Sequence, residues 1–107
     1  RFLRRRTMSA TDPRAALAVT ARLPPEIRRQ CHATVAKIIN NIVNNPSELK
    51  YRRIRVTNDK FSSTVWNVPG GCELMMAAGF VIDGDAMQLS EAADEARLTR
   101  VLDAVRA

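Results

Sequence analysis

The feature that most constrains this fold is an apolar stripe that follows two consecutive prolines. Pro24 and Pro25 suit the start of a helix, because the first helical position needs no amide proton. Apolar side chains then recur at spacings of three and four residues, at Ile27, Cys31, Val35, Ile38 and Ile42. The pattern predicts a long amphipathic helix, ending near Val43, whose apolar face is the centre of the core. A chain of 107 residues has room for one modest core.

Shorter helical patterns flank the long one. Residues 14–22 are alanine-rich and predict a short helix. Asn45 and Pro46 form a restart signal, from which a short helix is expected to run to about Tyr51. Asn58 is placed to cap another short helix.

Two more helices are predicted in the C-terminal part. Pro69 opens the first, and Gly79 suits its left-handed end. Ser90 is placed to cap the second. The apolar stripe of this last helix consists of Leu98, Val101, Leu102 and Val105.

The strand patterns are short. Ile54 and Val56 alternate with arginines, which predicts a strand with one apolar face. Residues 80–89 predict a hairpin in which Asp83 and Gly84 form a tight primed turn. The predicted fold class is therefore α+β, a mainly helical single domain with a small three-stranded antiparallel sheet.

Positive charge is concentrated near the N-terminus. The chain has 17 Lys and Arg against 11 Asp and Glu, a formal charge of +6. Six arginines and one aspartate precede residue 23, so the remaining residues hold 11 basic and 10 acidic side chains. We interpret residues 1–14 as a basic flexible arm or linker and residues 15–107 as the folded domain. A nearly neutral body fits a local acidic ligand better than a long phosphate backbone.

Within the body, cations concentrate in residues 50–61, which we call the basic stretch. Its cations, set against the single acid Asp59, are Lys50, Arg52, Arg53, Arg55 and Lys60. Tyr51 and Phe61 add apolar anchors that a solvated charge run would lack. The stretch predicts a binding surface, in which Arg52 and Arg53 are expected to be solvated rather than bound.

The residue types argue against several other classes of function. Cys31 and Cys72 lack the neighbouring ligands of a zinc site, and we interpret them as structural thiols of a reducing compartment, cytoplasmic or nuclear. His32 has no partners with which a catalytic group could be assembled, so we predict no enzyme, metal or cofactor. No apolar run approaches the roughly 20 residues of a membrane span.

Two runs of sequence resemble a known family. The run NNIVNNPSELKYRRIRVTNDKF, residues 40–61, followed by VPGGCELMMAAGF, residues 68–80, is similar to the PUB domains of peptide:N-glycanase, of the ubiquitin-ligase subunit HOIP and of certain UBX-containing proteins. The resemblance covers about residues 33–105. It implies a monomeric, non-catalytic adaptor that binds the acidic, tyrosine-containing C-terminal tail of the hexameric AAA ATPase valosin-containing protein, or other short acidic peptides with tyrosine. Such an adaptor would link its parent protein to ubiquitin-dependent protein quality control.

The resemblance also implies a set of peptide-binding residues. Lys50 and Arg55 would meet acidic side chains or the terminal carboxylate. Asn41 and Asn58 would each donate and accept hydrogen bonds with the peptide backbone. The rim and floor of the pocket would be formed by Tyr51, Phe61, Gly79 and Phe80. We expect Asn58→Ala and Lys50→Ala to weaken binding and to leave the thermal midpoint nearly unchanged.

Other interpretations of these residues stay open. Tyr51 and Phe61 also suit the core, and Gly79 is equally explained as a helix end. Thr57 and Lys60 stand where the family has glycine or a small residue, which would narrow the groove or change its charge preference. The functional alternative is a basic nucleic-acid-binding domain that uses the N-terminal arginines and the patch at residues 50–60.

Overall fold

The structure is a computed structural model that describes residues 13–90 and 95–106. Its α-helices are α1 (Pro13–Thr20), α2 (Pro25–Asn44), α3 (Asp59–Phe61), α4 (Gly71–Ala78) and α5 (Glu95–Arg106). Its strands are β1 (Arg53–Arg55), β2 (Val81–Asp83) and β3 (Ala86–Gln88). A 3-10 turn, Leu49–Arg52, precedes β1, and a π-helical segment, Ser62–Trp66, continues α3. The predicted class, a mainly helical α+β domain with a three-stranded antiparallel sheet, is confirmed.

Two predictions lie wholly or mainly outside the described residues. Most of the basic arm, residues 1–12, is among the residues that the structure does not describe. The cap that Ser90 would provide depends on residues 91–94, which are likewise not described. Both therefore stay predictions.

The long helix α2 lies at the centre of the core, as its stripe predicts. Its buried residues are Cys31, Val35, Ile39 and Ile42. The prediction is wrong at two positions, because Ile27 is 42% exposed and Ile39 replaces Ile38 on the buried face. With 3.6 residues per turn, both Ile38 and Ile39 continue the spacing from Val35, and the packing selects Ile39. Ile38 is turned towards the flank of the helix, where it is only partly buried.

The sheet has the strand order β1, β3, β2 and is antiparallel throughout. Met87 of β3 lies opposite Ile54 of β1 and Ile82 of β2, and it is fully buried. The predicted hairpin is present, but its turn is shifted by one residue. Gly84 and Asp85 are the central residues, and of the two only Gly84 has a positive φ, 63°. That combination excludes a type I′ turn, which needs positive φ at both central residues.

Two features of the structure provide hydrogen bonds at the C-terminal end of α4. Gly79 ends the helix in the left-handed region, with φ 114°, as predicted. The Arg97 guanidinium of α5 then donates to the carbonyl oxygens of Ala77 and Met76 at 3.2 and 3.1 Å. Helix ends leave carbonyl groups without intrahelical partners, so this arginine joins α5 to α4 by charge-assisted hydrogen bonds.

Arg52 is buried, with 7% of its surface exposed, so the expectation that it is solvated is wrong. Its guanidinium donates to the Ser90 carbonyl oxygen at 2.9 Å and to the Pro46 carbonyl oxygen at 3.2 Å. Its own carbonyl oxygen accepts from the Leu89 amide at 2.7 Å. Arg52 therefore holds together three segments that are far apart in the sequence, a task for which its branched donor group is suited.

The first helix, α1, packs against α4 and α5 through Ala16 and Thr20, which are both buried. The Thr20 hydroxyl donates to the Leu17 carbonyl oxygen at 3.2 Å and lies 2.9 Å from His32 Nε2. The tautomer of His32 sets which of the two groups donates in the second contact. Within the described part of the chain, no helix is long and apolar enough to span a membrane.

Candidate functional site

A pocket of about 210 Å³ lies where α2, β1 and α3 meet. Its lining residues are Thr34, Lys37, Ile38, Asn41, Ile54, Asn58, Lys60 and Phe61. We call it the amide pocket, after its two asparagines. Three of the residues predicted for the peptide-binding site, Asn41, Asn58 and Phe61, therefore come together, although they are up to twenty positions apart in the sequence.

One flank of α2 forms the first wall of the amide pocket. Thr34, Lys37, Ile38 and Asn41 are separated by three, one and three positions, the spacing that puts side chains on one helix face. This flank adjoins the buried stripe of the helix, which explains why Ile38 reaches both the core and the pocket.

The floor of the pocket is apolar. Phe61 is 2% exposed, and Ile38 and Ile54 are partly buried against the core. The Phe61 ring is thus a core side chain, as one of the two interpretations of this residue held, with part of its surface facing the pocket. A floor of this kind favours an apolar ligand side chain, since contact removes hydrocarbon surface from water.

Asn58 both precedes α3 as its N-cap residue and lines the amide pocket. Its side-chain Oδ1 accepts a hydrogen bond from the Phe61 amide at 3.0 Å, which confirms the predicted helix cap. Its acceptor is therefore in use, while the Nδ2 group forms no hydrogen bond to the described residues. Asn58 is thus prepared to donate to a ligand carbonyl, and less free to accept.

Asn41 faces Asn58 from α2 and is partly buried. Its backbone carbonyl oxygen accepts from the Asn45 side chain at 3.0 Å, as part of the helix end. No hydrogen bond to its own side-chain amide is formed by the residues that the structure describes. Both the donor and the acceptor of this amide are available to a ligand backbone.

The charge at the pocket is positive. Lys37 and Lys60 are exposed and line it from opposite walls, and no carboxylate belongs to the described lining. Lys60 is the residue for which sequence reasoning expected a changed charge preference, and the structure locates it at the rim. An anionic ligand would gain from both ammonium groups over a short distance.

Three further predicted site residues lie beside the pocket and do not line it. Lys50 is exposed, with its Nζ 5.4 Å from the centre of the Tyr51 ring and 4.0 Å from a Glu48 carboxylate oxygen. Tyr51 is partly buried against the core. Arg55 is exposed at the end of β1 and forms no ion pair with a described residue. Their roles in binding stay predictions.

Gly79 and Phe80 lie elsewhere, at the junction of α4 and β2. Phe80 is 1% exposed and belongs to the core. A Cβ on Gly79 would lie 3.1 Å from Leu89 Cδ1, and its positive φ disfavours any side chain. Both residues have a structural explanation here, and neither lines the amide pocket, so their assignment to the site is a prediction without geometric support.

The sequence interpretation missed Thr34 and Lys37 as pocket residues and assigned Ile38 only to the core. A signal was present, because all three share a helix face with Asn41, which had been singled out. The basic stretch is also less available than its composition indicated. Arg52 is buried, and Arg53 donates to Asp83 and Gln88, each at 3.0 Å. The nucleic-acid alternative thereby loses two of its cations.

The thiols fit their predicted structural role. Burial raises the pKa of Cys31 to about 11, and burial together with the Glu73 charge raises the pKa of Cys72. Both thiols therefore stay protonated and poorly nucleophilic at neutral pH. In residues 13–90 and 95–106, no group of three or more His, Cys, Asp or Glu side chains could hold a metal ion.

Taken together, amides and ammonium groups over an apolar floor suit contact with a polypeptide, whose backbone and side chains offer matching groups. The chain is a member of the PUB domain family, whose family model matches residues 25–103. The PUB domain is a protein-interaction module found in peptide-N-glycanase and in UBX proteins.

Individual relatives support this membership. The peptide-N(4)-(N-acetyl-beta-glucosaminyl)asparagine amidases of Rattus norvegicus and Mus musculus are each 32% identical over 72 residues, which cover 67% of this chain and 11% of the amidase. Plant UBX domain-containing protein 2 of Arabidopsis thaliana is 36% identical over 44 residues, 41% of this chain and 10% of that protein. The chain thus spans about a tenth of the length of these relatives.

Proposed function

We propose that this domain is a non-catalytic peptide-binding adaptor that recognises the acidic, tyrosine-containing C-terminal tail of the AAA ATPase valosin-containing protein. In the cytoplasm or the nucleus, it would connect its parent protein to ubiquitin-dependent protein quality control. The observation that carries the proposal is the amide pocket, in which Asn41, Asn58 and Phe61 meet between two lysines.

The pocket offers one feature for each part of such a tail. The Nδ2 group of Asn58 and the amide of Asn41 suit the peptide backbone, which presents the same groups whatever its side chains. The apolar floor, with Phe61 at its base, suits a leucine or tyrosine side chain. Lys37 and Lys60 suit acidic side chains or the terminal carboxylate.

The tail extends beyond the pocket in this proposal. A volume of about 210 Å³ holds one side chain, not five residues. Lys50, Tyr51 and Arg55 would contact the remainder of the tail along the neighbouring surface. In this arrangement the amide pocket holds one side chain of the tail and supplies most of the affinity. The exposed cations orient the tail and speed its association with the domain.

Isothermal titration calorimetry with a synthetic acidic peptide that ends in Leu-Tyr-Gly tests the proposal. We expect a dissociation constant of about 1–10 µM, since five or six residues form a small, transient interface. A peptide with the same composition in scrambled order is the control for charge alone. Equal affinity for both peptides, or no heat at about 500 µM, would contradict the proposal.

A matched pair of variants connects the result to the pocket. Asn41→Ala removes a side chain that forms no hydrogen bond within the described domain, so the fold should be unaffected. We expect it to weaken binding about ten-fold, the loss of one or two hydrogen bonds in a half-buried site. Asn40→Ala, one position earlier on α2 and outside the pocket lining, should bind like the unmodified chain.

A further inference from the structure

A second pocket, of about 310 Å³, lies between the first half of α2 and the end of α5. Its lining residues are Pro25, Arg28, Arg29, His32, Ala33, Ala36, Val105 and Arg106. We call it the arginine pocket. It shares no residue with the amide pocket, and none of its residues belongs to the basic stretch.

The two pockets lie on opposite flanks of α2. At about 100° per residue, the α2 residues of the arginine pocket centre roughly 160° around the helix from those of the amide pocket. The buried stripe, including Val35 and Ile39, runs between them and faces the core. A ligand in one pocket therefore does not block the other.

The cations of the arginine pocket are largely unsatisfied within the domain. Arg28 makes one long contact, 3.5 Å, with the Ala21 carbonyl oxygen. Arg29 forms an exposed ion pair with Glu26 at 3.3 Å, which contributes little in water. Arg106 forms no ion pair with the residues that the structure describes. Three guanidinium groups thus converge on one depression, whose described lining includes no carboxylate.

The positive charge of Arg28 acts on His32, which also lines the arginine pocket. The pKa of His32 is lowered first by burial and then by the charge of Arg28. Apart from the arginines and His32, the lining is apolar and consists of Pro25, Ala33, Ala36 and Val105. A bare phosphate would use only the cations of such a surface. The lining contains no Phe, Tyr or Trp side chain on which a nucleotide base could stack.

We propose that the arginine pocket is a second docking site, whose occupant is an acidic segment of a protein partner with one aliphatic side chain. The carboxylates pair with Arg28, Arg29 and Arg106, for which planar guanidinium groups have a suitable geometry. The aliphatic side chain covers Ala33, Ala36 and Val105. Because the amide pocket stays open, the domain can hold two peptide segments at once and so bind a partner more tightly than through either site.

The test is an NMR titration of the 107-residue chain, labelled with 15N, with the capped peptide acetyl-Glu-Glu-Leu-Glu-Glu-amide. We expect shift changes that centre on Arg28, Ala33, Ala36 and Val105, with a dissociation constant of about 0.1–1 mM for so short a segment. Because the amide pocket also suits a leucine between acidic residues, any movement of the Asn41 and Asn58 amides should follow a separate saturation curve, and the Asn41→Ala variant should weaken it while the shifts at Arg28, Ala33, Ala36 and Val105 remain. The analogue with glutamine in place of each glutamate should produce no saturable shift.

Two arginines of α5 provide the matched variants. Arg106→Glu reverses a charge in the pocket and should weaken binding about five- to ten-fold, whereas Arg100→Glu makes the same change outside the lining and should weaken it less than two-fold. Equal effects of the two variants, or shifts confined to the amide pocket, overturn the proposal. It is also overturned if inorganic phosphate saturates the same residues as tightly as the peptide, or if light scattering shows that the surface joins two copies of the chain.

Discussion

The two halves of the basic stretch differ in what their side chains do. In residues 50–55, Arg52 is buried, Arg53 is paired with Asp83, and only Ile54 lines the amide pocket. In residues 58–61, three of the four residues line the pocket. The first half is richer in charge, and the second is richer in residues that line the pocket. The difference teaches that this pocket needs a second wall, here α2, and that local charge density does not locate it.

The largest expected effect is on stability, and it distinguishes two arginines of the first half, Arg52 and Arg55. Arg52→Ala removes two charge-assisted hydrogen bonds and leaves two carbonyl groups without that donor, so we expect the free energy of unfolding to fall by about 2–4 kcal/mol. Arg55→Ala, three residues further along the chain and exposed, should change it by less than about 0.5 kcal/mol. Urea unfolding followed by circular dichroism measures both. Similar losses for the two variants would remove the distinction between structural and free cations.

The next largest effect is at Asn58, where two variants separate the contribution of this residue to stability from its contribution to peptide binding. Asn58→Ala removes the cap of α3, so we expect a loss of about 1 kcal/mol of stability and weaker binding of the Leu-Tyr-Gly peptide. This changes the expectation from sequence that the thermal midpoint would be nearly unaffected. Asn58→Ser keeps an oxygen for the cap but lacks the Nδ2 donor, so it should lose affinity at nearly full stability. If the serine variant binds as tightly as the unmodified chain, Asn58 is a cap and nothing more.

Much of the fold was predictable because it depends on local chemistry. The stripe of α2, the Asn58 cap, the Gly79 end and the three strands all follow from periodicity or from side chains that act on their own backbone. The choice between Ile38 and Ile39 was not predictable, since both fit the helical period. Only the packing of α4 and α5 against α2 decides between them.

The candidate site was predictable only in part, for the same reason. Asn41, Asn58 and Phe61 were named through the family resemblance, and the structure brings them together. Lys37 was missed although it shares a helix face with Asn41, because helical spacing alone does not show that α3 approaches this face of α2. Arg52 was misjudged for the corresponding reason. Its partners, Pro46 and Ser90, lie in segments that come close only in the folded chain.

A smaller effect compares the rim of the pocket with the charged half of the stretch. Lys37→Glu and Lys60→Glu should each weaken binding of the acidic peptide about three- to ten-fold, because they place a negative charge beside the ligand. Lys50→Glu, outside the lining, should cost about half as much in free energy, and all three should unfold at the same urea concentration. Calorimetry at low and high salt measures the series. If Lys50→Glu weakens peptide binding more than either Lys37→Glu or Lys60→Glu does, the peptide binds mainly to the first half of the basic stretch.

The smallest expected effect is the pH dependence of stability at His32, which is remote from the amide pocket. It determines the pH range in which the other variants can be compared without a contribution from this histidine. His32 is the one histidine of the chain, and its pKa is lowered below the ordinary 6.5 by burial and by Arg28. The unfolded chain therefore takes up a proton first as the pH falls through 6.5, and the folded state loses stability until its own pKa is passed.

His32→Gln removes this titration and keeps a group that can donate to or accept from the Thr20 hydroxyl. We expect the stability of the unmodified chain to fall more than that of the variant between pH 7.5 and pH 5.5, measured as urea midpoints. The carboxylates titrate in both proteins and cancel in the difference. Parallel curves would show that folding does not lower the pKa of His32. Diverging curves would show that burial and the Arg28 charge make the folded chain favour the neutral imidazole, so that peptide binding is best compared above pH 7.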